Sequence, residues 1–138
     1  MAIEDLAVQL DRRLAQLTHM LRAHAHRGRS VGSLLVLRRL DADGPQRITE
    51  LAAAEHVAQP TMTGLIGRLE AEGLVRKTAD PGDARAVLVE LTDHGREQLA
   101  AVRAERAAVL QARLDLLDDD ARAALAAALP ALDQLMAV

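Results

Sequence analysis

The chain has 138 residues and a formal net charge of −3; half of its residues are hydrophobic and 27% are charged. This length and composition predict one folded domain and argue against a disordered chain. The absence of Cys excludes disulfides and thiol-based oxidation sensing, and the absence of Phe, Tyr and Trp excludes stacking of bases on aromatic side chains. Because no apolar run could span a bilayer and the N-terminus is acidic, we expect a cytoplasmic protein without membrane contact.

The first part of the chain is predicted to be helical. From Ile3 onward, leucines recur at spacings of three and four, which indicates a long amphipathic helix that ends within residues 24–28. Ser30 is suited to cap a second helix, and turn residues at 41–45 should close it. A short extended piece is expected over 46–48.

Two short helices should follow, joined by a tight turn. Thr49 is predicted to be the N-cap of the first, which runs to His56. After a turn at residues 57–58, Pro60 fits the first turn of the second helix, where its missing N–H costs little. This second helix should end at Gly73. Its predicted buried face consists of Met62, Leu65, Ile66 and Leu69.

A β-hairpin is predicted next. Extended segments at 74–78 and 86–91 flank a loop over 79–85, in which Pro81 and Gly82 form a strong turn signal.

Two further helices should complete the chain. Thr92 is predicted to cap a long helix whose apolar side extends to Leu117. Asp118 should cap the last helix, which Pro130 should kink or interrupt.

Apolar stripes at both ends of the chain are too long for a small core to cover, so we expect them to pair with a second copy. The candidate dimer-interface residues are Leu6, Leu10, Leu14, Leu114, Leu117, Leu125, Leu129 and Leu132. The predicted fold is mainly α: a winged helix-turn-helix lobe over 30–91, made of three helices and a hairpin wing, with 1–29 and 92–138 as a helical dimerisation region.

The second short helix is the candidate reader of DNA, because a helix held out from the body fits the major groove. Gln suits adenine edges, Thr offers a hydroxyl and a methyl group, and Arg68 is placed to reach a phosphate. The candidate contacts on this helix are Gln59, Pro60, Thr61, Thr63, Gly64 and Arg68.

The hairpin supplies further candidate DNA contacts. Arg76 and Lys77 lie on its first strand, and Arg85 lies just after the turn. A basic residue at the tip of a protruding ribbon suits the narrow, negative minor groove. Asp83 is predicted to hold the Arg85 guanidinium in place.

Four segments, 48–52, 62–75, 80–85 and 91–95, together resemble the MarR family of bacterial transcriptional regulators. The resemblance implies that the outer helices dimerise and that two winged lobes bind double-stranded DNA at a near-palindromic operator, with repression as the expected output. It also implies that the DNA is released when a small anionic aromatic compound enters a pocket between the two regions. By position, it places Thr61, Thr63 and Arg68 on the recognition helix and Asp83 and Arg85 at the wing tip.

The sequence departs from the family pattern at several positions. Gly64 stands where the family often has a long basic residue, and Gly82 and Ala84 replace frequent wing arginines, so we expect a weaker grip by the wing. His56 occupies a turn position that usually prefers Gly, and His is among the residues that tolerate a positive φ. Without aromatic residues, an effector pocket would be lined by aliphatic side chains with an Arg or His to meet the negative group.

Several alternatives stay open at this point. The chain could be a dimeric helical protein-interaction module without operator binding. His19, His24 and His26 suggest a metal or pH sensor, although His24 and His26 cannot share a helical face, which favours a surface location. Five arginines make up a basic group that either forms a solvated face or contacts a ligand carboxylate or phosphate. They are Arg22, Arg27, Arg29, Arg38 and Arg39. The sequence contains neither a nucleophile–base pair nor a phosphate-binding glycine loop, so we do not expect an enzyme. We expect no cofactor or metal.

Overall fold

The computed structural model describes residues 1–24 and 28–137. The elements are α1 (Ile3–His24), α2 (Val31–Asp43), β1 (Gln46–Arg47), α3 (Ile48–Ala54), α4 (Gln59–Ala71), β2 (Val75–Asp80), β3 (Asp83–Leu91), α5 (Asp93–Leu114) and α6 (Asp119–Met136). They form two compact units: a winged unit of residues 25–104, and a helical unit of residues 1–24 and 105–138. None of the helices in the described ranges is both long enough and apolar enough to cross a membrane.

The winged unit encloses a hydrophobic core between its helices and a three-stranded antiparallel sheet of order β1-β3-β2. Leucine, valine, isoleucine and methionine side chains fill this core, and no polar or charged residue among those described is buried with them. Its most deeply buried members are Val36, Leu37, Leu51, Met62, Ile66, Leu69, Leu74, Val75, Val89 and Leu99. The mainly α winged helix-turn-helix prediction is therefore confirmed.

The beginnings of α2 and α3 test the two predicted N-cap residues. Ser30 caps α2 as predicted, because its hydroxyl oxygen accepts the Ser33 N–H at 3.2 Å. The predicted cap at Thr49 is wrong: α3 already begins at Ile48, and Arg47 stands at the N-cap without a side-chain cap bond. Strand β1, which pairs with β3, ends at Arg47, one residue before the predicted end of the extended segment, and Thr49 is an exposed residue of the first helical turn.

The turn between α3 and α4 follows the sequence prediction closely. His56 adopts a φ of +54°, the left-handed conformation expected at this position. Helix α4 begins at Gln59 with Pro60 in its first turn, and Gly73, with a φ of +75°, follows its end. The predicted buried face is confirmed, since Met62, Leu65, Ile66 and Leu69 are all buried.

The hairpin is longer and its turn tighter than the sequence suggested. The predicted loop over 79–85 is wrong, because only Pro81 and Gly82 lie between the strands. Ala79 pairs with Val87, and after a register shift that passes over residues 84–86, Asp80 pairs with Asp83 at the tip. Most of the expected loop is thus held as strand.

The beginning of α5 is fixed by a cap and by a close approach of two backbones. Thr92 caps the helix as predicted, its hydroxyl oxygen accepting the Gly95 N–H at 3.0 Å. Gly95 is buried, and a Cβ at this position would lie 2.1 Å from the carbonyl oxygen of Leu74. Only glycine allows the helix to begin against that carbonyl.

The C-terminal helices differ from the prediction in two details. Helix α5 ends at Leu114, so Leu117 lies in the following turn instead of on the helix. Asp118 caps α6 as predicted, accepting the Ala121 N–H at 2.8 Å. Pro130 does not interrupt α6, because the helix continues to Met136, and the kink offered as the other outcome stays a prediction. Proline removes one backbone hydrogen bond, to Ala126, and the bonds on either side suffice to continue the helix.

The helical unit has almost no core of its own. Leu21 is the one buried residue among those described in this unit. The candidate interface residues Leu6, Leu14, Leu114, Leu117, Leu125 and Leu129 are exposed, and Leu10 and Leu132 are half-buried.

Candidate nucleic-acid interface

Helix α4 presents a continuous exposed side opposite its buried face. Six candidate contacts lie on that side and all are exposed: Gln59, Pro60, Thr61, Thr63, Gly64 and Arg68. The core fixes the helix from the other side through side chains spaced three and four residues apart. The arrangement holds a polar, solvent-facing helix on a rigid base.

Thr63 is restricted in the hydrogen bonds that it can offer. Its hydroxyl donates to the carbonyl oxygen of Gln59 at 3.0 Å. The oxygen lone pairs remain able to accept a hydrogen bond. Thr63 is therefore suited to meet a base edge that donates, such as the amino group of adenine or cytosine.

Two glycines leave part of this side bare. A Cβ built at Gly64 or at Gly67 would have no neighbour within 4 Å, so neither glycine is required by packing. A surface without side chains allows another backbone to approach closely. A long basic side chain in place of Gly64 would fit here without a clash.

The wing carries one arginine with an unpaired guanidinium. The Arg85 backbone N–H donates to an Asp83 carboxylate oxygen at 2.9 Å. Asp83 was expected to hold the Arg85 guanidinium, but its contact is with the backbone instead. Within residues 1–24 and 28–137, neither Arg85 nor Arg68 makes an ion pair through its side chain. Both charges are available to an external anion.

The other two basic candidates of the hairpin are paired with acids. Arg76 forms an ion pair with Glu90, its partner across the two strands. The Lys77 ammonium lies 3.6 Å from a carboxylate oxygen of Glu70. Their positive charge is partly neutralised within the protein, in contrast to that of Arg68 and Arg85.

One cleft joins the beginning of α4 to the wing. Gln59 and Arg85, which lie 26 positions apart in the sequence, are brought to the same cleft. Its lining residues are Arg47, Ile48, Thr49, Gln59, Arg85, Ala86 and Val87. Arg47 and Thr49 were missed as candidate contacts, because the sequence placed them in a short strand and a cap.

The wing tip is tied to the beginning of α3 through Asp80. One carboxylate oxygen of Asp80 accepts the Gly82 N–H at 2.9 Å, and the other accepts two bonds from the Arg47 guanidinium at 2.9 and 2.6 Å. The Gly82 bond and then the Arg47 bond lower the pKa of the Asp80 carboxyl below its ordinary value, and the same contact raises the pKa of Arg47. The hairpin turn and Arg47 thus share one ionised carboxylate.

The histidine hypothesis has limited support from the geometry. His24 Nδ1 lies 2.7 Å from the carbonyl oxygen of Met20, within its own helix. His26 and Arg27 lie outside the described residues. Over the parts of the chain that are described, no three His, Cys, Asp or Glu side chains are grouped as metal ligands.

Comparison with known proteins identifies the family. Residues 30–87 match the model of the MarR family. A Pseudomonas aeruginosa PA01 protein described as a transcriptional regulator is 33% identical and superposes with a TM-score of 0.82, covering 97% of this chain and 96% of that one. The chain belongs to the MarR family.

Further relatives of this MarR-family chain are also named as regulators. The transcriptional repressor NicR of Pseudomonas putida is 46% identical over 59 residues, which are 43% of this chain and 37% of NicR. The transcriptional regulator Tm0710 of Thermotoga maritima is 27% identical, with a TM-score of 0.79 over 93% of this chain and 94% of that one. The chain spans between 37% and 65% of the length of the curated relatives that it matches.

Proposed function

We propose that this MarR-family protein is a sequence-specific, double-stranded-DNA-binding transcriptional regulator that acts as a homodimer and represses transcription. The observation that carries this proposal is the cleft that joins Gln59 of α4 to Arg85 of the wing. Both residues are exposed there. A helix that enters the major groove and a ribbon that reaches the neighbouring minor groove need this adjacency.

The distribution of charge supports DNA as the target despite the net charge of −3. Arg68 and Arg85, two of the arginines that have no ion-pair partner among the described residues, lie on α4 and the wing. Phosphate contacts provide most of the sequence-independent affinity for DNA. A local pair of free cations therefore matters more than the overall balance.

Homodimer formation is supported by the exposed leucines of α1, α5 and α6. Exposed apolar side chains that gather into a patch mark association surfaces in proteins. A two-fold dimer would place two copies of α4 in successive major grooves, about 34 Å apart, and would require a near-palindromic operator.

Repression by occupation of a promoter is the regulatory output that we propose. NicR, which is 46% identical to this chain over 59 residues, is named a repressor. We further propose that a small anionic ligand releases the operator by binding the DNA-free state more tightly.

The decisive experiment is selection of bound duplexes from a random pool by the purified protein. We expect enrichment of a sequence with two-fold symmetry. The selected duplex should then lose affinity steeply as salt is raised, because each neutralised phosphate releases counterions.

A protein-interaction module would give a different result in the same assays. No duplex would be enriched, and residual binding to any duplex would lack sequence preference. Enrichment of asymmetric sites by a monomer would contradict the homodimer while leaving DNA binding in place.

A further inference from the structure

Thr63 of α4 has an acceptor and a methyl group to offer, but no free donor. Its side chain is exposed, and its hydroxyl donates to the carbonyl oxygen of Gln59, one turn earlier, at 3.0 Å. Threonine commonly forms this bond within helices. Because the bond fixes the rotation about Cα–Cβ, it also fixes the direction of the methyl group. Thr63 can therefore accept one hydrogen bond and make one apolar contact.

An A·T pair is the base pair whose major-groove edge offers both groups that Thr63 can meet. Its adenine amino group donates, and its thymine carries a methyl group on the same edge. A G·C pair also has an amino group, on cytosine, but it has no methyl group, and guanine presents only acceptors. Because its proton is already engaged, Thr63 cannot donate to those acceptors. Its two available groups therefore match an A·T pair better than a G·C pair.

Gln59 adds a second group that can read bases. It lies four positions before Thr63, so the two side chains are neighbours on the helix surface. The Gln59 side-chain amide is exposed and makes no hydrogen bond within the part of the chain that the structure describes. An amide presents one donor and one acceptor side by side, which is the pattern that the N7 and amino group of adenine require. Gln59 therefore also matches adenine.

Gly64 leaves the exposed side of α4 without a side chain that could read guanine at this position. Arg and Lys are the residues that bind guanine, through its O6 and N7. The sequence of α4 contains one Arg and no Lys, and that residue, Arg68, lies a full turn after Gly64. A Cβ at Gly64 would have no neighbour within 4 Å, so a longer side chain has room there.

We propose that α4 reads two neighbouring A·T pairs in each half-site, through Gln59 and Thr63, and that it reads no guanine. This inference rests on the proposed function and names the bases on which the sequence preference depends. A G·C pair at the position of Thr63 loses the methyl contact, and one at the position of Gln59 loses the paired hydrogen bonds to adenine. Sequence preference beneath α4 is thus a preference for A·T pairs.

Base analogues in the selected duplex test Thr63 group by group. Adenine is replaced by purine, which lacks the amino group, and thymine by uracil, which lacks the methyl group. At the pair that Thr63 reads, we expect the first change to cost about fivefold in affinity and the second about threefold, measured by fluorescence anisotropy. Thr63→Val, without the acceptor, should be insensitive to purine, and Thr63→Ser, without the methyl group, should be insensitive to uracil. Variants as sensitive as the wild type would overturn the proposal.

Single-base-pair substitutions across the selected half-site test Gln59. The wild-type protein should prefer A·T over G·C about tenfold at the pair that Gln59 reads, and Gln59→Ala should abolish that preference. The matched control is Gln111→Ala, at an exposed glutamine of α5. It should leave the preference at every pair unchanged. A Gln59→Ala protein with the wild-type preferences would contradict the assignment.

A gain of preference tests position 64. Gly64→Arg should create a preference of about tenfold for guanine at a pair close to the one that Thr63 reads, because the new guanidinium can donate to O6 and N7. Gly64→Ala, which adds a methyl group without a donor, should create none. Circular dichroism verifies that both variants are folded. Unchanged base preferences in a folded Gly64→Arg protein would show that this side of α4 does not face the bases, and would overturn the proposal.

The selected sequence itself separates this inference from the proposed function. A symmetric duplex in which the pairs that depend on Gln59 and Thr63 are A·T supports both. A symmetric duplex in which those pairs are G·C overturns the base assignment and leaves sequence-specific DNA binding in place. A pool without any enriched duplex overturns the proposed function and this inference with it.

Discussion

The winged unit and the helical unit differ sharply in how much of their hydrophobic surface they bury. The winged unit encloses side chains from Val36 to Leu99 in a core of its own, whereas the helical unit buries Leu21 and leaves Leu125 and Leu129 51% and 59% exposed. Folding of the winged unit is thus stabilised within one chain. The exposed leucines of the helical unit need an apolar surface to pack against, and in our proposal a second copy of the chain provides that surface.

The largest expected effect comes from placing a charge in the exposed leucines. Leu129→Glu should convert the dimer to a monomer, because an isolated carboxylate would be buried in an apolar contact. Affinity for the full operator should fall about 100-fold or more, since the two half-sites would no longer be bound together. Light scattering and anisotropy measure the two changes.

The matched control for this change is Val8→Glu, at a valine of α1 that is 67% exposed and lies off the leucine stripe. It should leave the dimer intact. A dimeric Leu129→Glu protein would show that the leucines of α6 are not the contact surface.

The next largest effect tests the tight packing of the winged unit. Gly95→Ala should lower the free energy of unfolding by about 3 kcal/mol, because the new Cβ meets the Leu74 carbonyl and the backbone has to move. Urea denaturation followed by circular dichroism measures it. A loss below about 0.5 kcal/mol would show that α5 can shift at no cost.

Arg85→Ala tests the proposed DNA contact of the wing. We expect affinity for the operator to fall about tenfold and the salt dependence to become shallower, because a free guanidinium is lost. Arg76→Ala is the control: this arginine is already paired with Glu90, and its removal should cost less. Equal losses from both variants would remove the special role of Arg85.

A smaller effect of opposite sign is expected at Gly67. Gly67→Ala should raise the free energy of unfolding by about 0.5–1 kcal/mol, since the residue lies within α4 and its Cβ would enter open space. Urea denaturation measures this gain. A loss of stability would mean that α4 is packed more tightly at this position than its surface indicates.

The smallest effect concerns the carboxylate at the wing tip. The pKa of Asp80 is lowered in the folded protein, so its contribution to stability is present above its ordinary pKa and is lost as pH falls through the lowered value. Acidification should release the Gly82 amide, which an NMR titration detects as a shift in its resonance. Asp80→Asn should remove this transition, and a transition that persists would belong to another group.

Local signals in the sequence predicted most of the winged unit. Capping by Ser30, the positive φ of His56 and the glycine after α4 depend on a few neighbouring residues, and all three were confirmed. The candidate contacts on α4 and the wing followed from residue types and placement, and the family resemblance assigned five of them by position; the structure leaves them exposed.

The errors arose where distant residues decide the local structure. Pairing between β2 and β3 extends the hairpin nearly to its tip, which turn signals at Pro81 and Gly82 alone do not reveal. Arg47 acquires its role from Asp80, 33 positions later in the sequence. The apolar cavity between α2, the α3–α4 turn and α4 was not located from the sequence, because its wall comes from three separate segments.

The hydrogen bonds to both carboxylate oxygens of Asp80 affect how the wing docks on a partner. Because both carboxylate oxygens of this residue are in use, the tip is ordered before any encounter and loses little conformational entropy when it docks. An ordered hairpin tip of this kind also resists proteases, which require a mobile, extended substrate. Limited digestion should therefore cut the chain elsewhere before it cuts between Pro81 and Gly82.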